Sequence, residues 1–180
     1  MLEKKAGVIL VDKLRAILLM EADFNFANKL QFGSRLVKEA SKRGKIHQNA
    51  DGSRKHRQAI ETSLNTKLVC DIHRQKRLPG ASASVDAAQC YDRMVHSFVS
   101  LMCQSLGMPK ATIIAMLTTI QDMQFHLRTA YGDSKSHYGG KQSIPFQGTC
   151  QGNGAGPAIW LVVVSGILRH METEGHGLDF

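Results

Sequence analysis

The stretch ASVDAAQCYDRMVHS, Ala83–Ser97, decides how the chain divides. A run of small, β-prone residues leads to the carboxylate of Asp86. Tyr91 follows five residues later, and a second acid, Asp92, lies in a segment, Tyr91–Leu106, that reads as a helix. The preceding "LPGASASVD" supplies a Pro-Gly break and then a predicted strand ending at Asp86. A charge at the end of a buried strand is costly unless something offsets it. One offset is a bound hard cation, which takes oxygen ligands. The other is a cap on the following helix, with Tyr91 as a core aromatic. The stretch alone leaves both open.

Outward from it, the charge balance changes. Residues 1–80 carry 17 Lys+Arg against 8 Asp+Glu, a net of +9, whereas residues 81–180 carry 6 against 7, a net of −1. The boundary is therefore set at the Pro-Gly break, between a basic part (1–80) and a second part (81–180). A basic block attracts phosphates, from nucleic acid or from a nucleotide. A plain basic surface is the alternative.

Upstream, "VILVDKLRAILLM" (8–20) predicts one or two short strands, with Arg15 among apolar neighbours. An arginine so placed is expensive unless its guanidinium meets a planar anion such as phosphate. Lys4 and Lys5 read as solvated charge. Phe24, Ala27, Leu30, Leu36, Val37 and Ala40 recur at helical spacing, with Gly44 as the stop. After the loop containing "DGSRKHR" (Asp51–Arg57), Ala59, Ile60, Leu64, Leu68 and Ile72 share one helical face, and the basic end of that helix suits its dipole.

Downstream, Pro109–Met123 predicts a helix with Pro in its first turn. "QFHLRTAYGDSKSHYGGKQSIPFQG" predicts a hairpin around Gly-Asp-Ser. Gly154–Glu174 predicts a long apolar core helix, entered through "IPFQGTCQGNGAGPAIW" (Ile144–Trp160). Glycines at 148, 152, 154 and 156 let that loop approach a ligand closely, and a helix N-terminus offers free N–H groups to anions. The loop is neither a Walker loop nor a dinucleotide fingerprint, and a tight turn is the other reading. The whole is a helix-rich α+β arrangement.

At 180 residues, with 43% hydrophobic and 21% charged residues, the chain is globular in composition. No signal peptide is visible, and the apolar run Gly156–Leu168 is short of the ~20 residues of a bilayer span. The four cysteines have no CxxC spacing, so neither a zinc knuckle nor a disulfide framework is expected. An intracellular location, cytoplasm or nucleus, follows as the default. His47, His56 and His73 read as surface residues, and His170 with His176 is a poor ligand pair.

Taken together, these pieces resemble the reverse transcriptases, most closely those of non-LTR retroelements and group II introns. "LRAILLMEADFNFANKLQFGSRL" looks like the family's Arg-Pro-Ile fingers stretch, with Ala16 in place of Pro. "ADGSRKHRQAIETSL" looks like its Gly-Phe-Arg block, with Ser53 in place of Phe. "SVDAAQCYD" matches the first palm motif, and "QGNGAGP" (Gln151–Pro157) the Gln-Gly-x-x-x-Ser-Pro motif, with Gly156 in place of Ser.

The resemblance implies right-hand polymerase fingers and a partial palm with a small antiparallel sheet. It makes Asp86 the catalytic carboxylate, one of those that hold two Mg²⁺ ions in the complete enzyme. Arg15 would meet the incoming dNTP, Tyr91 would be the sugar gate, and Gln151 and Gly152 would line the nucleotide and template pocket. Arg54, Lys55 and Arg57 would track an RNA template paired with a DNA primer, by shape. The family's third motif, an aromatic followed by two adjacent acids, is missing, since no Asp-Asp occurs in the chain. Asp92 and Asp133 are no evident substitutes. The expectation is a truncated reverse transcriptase domain with little or no polymerase activity, or else a non-catalytic nucleic-acid-binding remnant. An unrelated small metabolite enzyme with a glycine-rich anion loop is the third reading.

Overall fold

The computed structural model describes residues 2–3 and 14–15 as backbone, and residues 17–129, 131–140 and 146–176 in full. The fold is mixed α+β and helix-rich, with two-stranded antiparallel sheets. The first sheet pairs β1 (Leu2–Glu3) with β2 (Leu14–Arg15), Leu2 standing opposite Arg15. The second is a hairpin of β3 (Gln124–Thr129) and β4 (Gly132–Gly139).

Six α-helices are described: α1 (Ala22–Asn28), α2 (Val37–Lys42), α3 (Ala59–Lys76), α4 (His96–Ser105), α5 (Lys110–Asp122) and α6 (Gly156–Thr173). A π-helical stretch, Lys29–Leu36, joins α1 to α2. Its wider turn slows the rotation per residue, so a strict four-residue step stays on one face. Asn28, Phe32, Leu36 and Ala40 are accordingly the buried side chains. This corrects the expected face: Ala27 and Leu30 are exposed, and Phe32 takes the core position that regular helical spacing assigned to Leu30.

The core lies where α6 meets α4 and the π-helical stretch, with α5 packed on α4. Helix α6 starts with Pro157 in its first turn, where a missing N–H costs nothing. It buries Ala158, Ile159, Leu161, Val162 and Val163, as expected of a core helix. Helix α5 buries Ile113, Met116, Leu117 and Ile120, an i, i+3, i+4, i+7 stripe. Pro109 caps it. Helix α4 buries His96, Val99 and Cys103 and begins at His96, five residues later than expected, because residues 91–93 form a turn.

Two further expectations are corrected. Residues 79–87 form no strand, and Val85 is 91% exposed. A strand needs a neighbour to pair its N–H and C=O groups, and no described strand pairs with this segment. With Val85 its one large apolar residue, the segment also has little to bury. In the hairpin, Thr129 stands opposite Gly132, so the chain reverses before Gly-Asp-Ser and those residues belong to β4. Arg128 then grips Asp133 through two bonds, Nε to Oδ1 at 2.7 Å and Nη2 to Oδ2 at 2.8 Å. Phe125, the buried residue of β3, stacks on Tyr138 and meets Phe146.

Helix α3 stands apart. Glu61 accepts a bond from the Gln58 N–H at 3.3 Å, which closes its first turn, and Arg77 ends it in a left-handed conformation. None of its residues is buried. Among the described residues, no helix is long and apolar enough to cross a membrane.

Candidate functional site

The loop Gly148–Ala155 leads into α6 and is clamped from three sides. From the first, the Leu18 N–H donates to the Gln151 carbonyl at 2.9 Å. Gly152 sits directly on this strap with φ +119°, a region that L-residues avoid. A Cβ there would run into the Leu18 carbonyl. The backbone approach expected of this glycine is therefore real, and it is spent on another part of the chain.

From the second side, α1 contributes two asparagines. Asn25 accepts from the Gly154 N–H with Oδ1 at 2.5 Å and donates from Nδ2 to the Gly152 carbonyl at 3.3 Å. A main-chain N–H can only donate and a carbonyl only accept, so both bonds fix the amide's orientation. Asn28, buried, donates to Asn153 Oδ1 at 3.1 Å. The same oxygen takes the Ala155 N–H at 3.0 Å, while Asn153 Nδ2 is buried without a partner.

The third side is the turn before α4. The Thr149 N–H donates to the Tyr91 carbonyl at 2.7 Å, and the Tyr91 ring faces Gly156 at the start of α6. Burial raises the Tyr91 hydroxyl above its usual pKa, and neighbouring Cys90 adds to the shift. His96 Nε2 lies 2.6 Å from the Gly148 carbonyl, which can only accept, so Nε2 carries the proton. Gln121 holds the other ring nitrogen at 2.8 Å. Between these clamps Cys150 is held at φ +66°, a left-handed conformation that persists only where its surroundings over-determine it.

The expected site residues thus fall into separate groups. Tyr91, Gln151 and Gly152 belong to one junction. Asp86 lies in the exposed, irregular segment, and the buried strand end expected for it is absent for the reason given above. For Arg15 only the backbone, in β2, is described; its side chain lies outside the described residues, as do Lys4 and Lys5. Arg54 donates to the Gln48 carbonyl at 3.3 Å, and Arg57 Nε lies 3.4 Å from Asp51 Oδ1, so both also brace the loop before α3. Lys55 is exposed.

A pair of Mg²⁺ ions needs several oxygen ligands converging. Among the described residues no three His, Cys, Asp or Glu side chains gather in a way that could hold a metal ion. Asp133 is engaged by Arg128, which holds its carboxyl below the usual range. The described residues do not make a two-ion site.

Sequence reasoning passed over Asn25, Asn28, Asn153 and His96. Two asparagines three apart inside a helical pattern were the available signal, since asparagine is a poor helix former without a bonding role. His47, expected at the surface, is buried. Its N–H donates to Ser165 Oγ at 2.6 Å, and its Nε2 lies 3.3 Å from Glu172, because α6 covers the loop it sits on. The chain matches no family model, no curated protein and no solved structure.

Proposed function

We propose that this chain is a nucleic-acid-binding fragment of a reverse transcriptase-like polymerase, corresponding to fingers and the first part of a palm. In this reading it engages an RNA template–DNA primer hybrid through its basic first part and does not itself carry out nucleotidyl transfer. The observation that carries it is the junction of three stretches far apart in sequence: Leu18–Asn28, Tyr91 and Gly148–Gly156. These are the stretches whose motifs resemble the family's fingers element, sugar gate and Gln-Gly loop. Their meeting supports a common placement of these motifs, with the Tyr91 ring against the start of the helix that follows the Gln-Gly loop.

Charge supports the partner class. The net +9 of residues 1–80 suits a phosphate backbone. Asp86, exposed next to the junction in sequence, is the carboxylate this reading assigns to the metal in a complete enzyme. No step is assigned to Mg²⁺ in this chain, because no donor cluster gathers among the described residues.

Fluorescence anisotropy with a labelled RNA–DNA hybrid tests the proposal. Binding should weaken steeply as salt rises, and Lys55→Glu should lower both the affinity and the salt slope. Primer extension with Mg²⁺ and dNTPs should yield no product. Absence of salt-dependent binding would return the chain to the metabolite-enzyme class, and robust extension would overturn the non-catalytic part.

A further inference from the structure

Helix α3 is turned inside out relative to the body. With 3.6 residues per turn, Ile60, Leu64, Leu68 and Ile72 form one ridge at four-residue spacing, and they are 70%, 55%, 49% and 46% exposed. The opposite side of the helix meets the rest of the chain. Thr62 donates to Asp51 there at 3.0 Å, and Thr66, Cys70 and His73 line a groove of about 440 Å³ against residues 78–82. An amphipathic helix normally buries its apolar stripe. This one instead turns the side of Thr62, Thr66, half-buried Val69 and Cys70 toward the rest of the chain.

We infer that the ridge is a contact between two copies of this chain, an antiparallel α3–α3 pair about a two-fold axis level with Thr66. The order Ile60, Leu64, Leu68, Ile72 reads the same in both directions. About that axis, Ile60 of one copy lies level with Ile72 of the second, and Leu64 with Leu68. A two-fold contact demands such self-complementarity. A row of side chains four apart is also the ridge that interlocks with its like in the commonest class of helix packing.

Charge selects the orientation. The first turn of α3 carries Glu61, and the last carries His73, Arg74 and Lys76. Antiparallel pairing opposes the helix dipoles and sets Glu61 of each copy level with Asp71 of the other, within about one turn of its basic end. Parallel pairing would stack the two basic ends. Asp71, near the ridge, has Arg74 3.5 Å away on its own helix.

The four side chains expose roughly 400 Å² per copy, so full burial of both ridges covers about 800 Å², and the polar flanks must supply the rest of the ~1,000 Å² at which specific interfaces begin. The inference is independent of nucleic-acid binding.

Sedimentation equilibrium from about 1 to about 100 µM should show reversible dimerisation with Kd on the order of 10 µM. Leu64→Asp/Leu68→Asp should weaken it ~100-fold or more, with unchanged far-UV circular dichroism, since neither side chain is buried. Cysteine pairs then report the register in a Cys70→Ser/Cys90→Ser background. Leu64→Cys mixed with Leu68→Cys should form a disulfide-linked dimer, and Leu64→Cys alone should not. A monomer throughout, a dimer indifferent to the double aspartate variant, or equal cross-linking of Leu64→Cys alone would each overturn the inference.

Discussion

The Leu18 N–H and the Gln151 carbonyl meet at 2.9 Å, and this strap leaves no room for a side chain on the next residue, Gly152. Glycines in one loop therefore differ sharply in what they tolerate. Gly152→Ala combines a disfavoured φ with a backbone collision and should cost at least about 2 kcal/mol. Gly156→Ala puts its Cβ 3.4 Å from the Tyr91 ring, near ordinary contact, inside a helix. It should be neutral or stabilise by up to ~1 kcal/mol. Urea midpoints of the two variants test the contrast, and equal destabilisation would contradict the strap.

Asn28 and Asn153 form a buried bond between α1 and the loop. Removing either amide strands its partner, so Asn28→Ala and Asn153→Ala should each cost ~1–3 kcal/mol. The double variant should cost less than the sum of the two, because the second change no longer strands a group. A double-mutant cycle from denaturant unfolding measures this coupling. Strict additivity would mean that the bond contributes nothing.

The four free cysteines should separate by reactivity. Burial pushes the Cys103 thiol up to about 12. Burial also raises Cys150 to about 12, with the Asp92 carboxylate adding to it. Only thiolates react. At pH 8 a maleimide should label exposed Cys70 quickly, and reach Cys103 and Cys150 only in denaturant.

A linked effect on stability follows from the same shifts. The folded state holds these two protons more tightly than the unfolded chain, in which a thiol loses its proton near 8.5. Their contribution is complete below that value and declines as pH rises through about 12. Unfolding midpoints should therefore fall across this alkaline window, and Cys103→Ala should flatten the fall.

His96 ties the first turn of α4 to the Gly148 carbonyl. His96→Ala leaves that carbonyl unpaired and should cost about 1–3 kcal/mol. Hydrogen exchange should quicken at Thr149, whose N–H is held by the adjoining Tyr91 carbonyl. Unchanged exchange there would show that the loop is held without the histidine.

Much of the scaffold was legible because it rests on local rules. Pro109 and Pro157 mark the starts of α5 and α6, and the stripe Ile113, Met116, Leu117, Ile120 marks the face α5 buries. The loop glycines also announced a close approach. What they approach was not readable, since Leu18 and Asn25 are more than a hundred residues away in sequence. The strand expected before Asp86 failed for a related reason. Strand propensity is expressed only beside a partner, and no described strand pairs with it.

By itself, the sequence determined which segments are helical, the proline starts of α5 and α6 and the uneven charge, all of which depend on neighbours within a few residues. Only the tertiary structure decided that Phe32 replaces Leu30 in the core, that His47 is covered by α6, that Tyr91 and Gln151 share one junction, and that the apolar ridge of α3 faces outward. Burial belongs to the packed arrangement of whole elements, and a residue's own chemistry sets only the free energy gained or lost when it is covered.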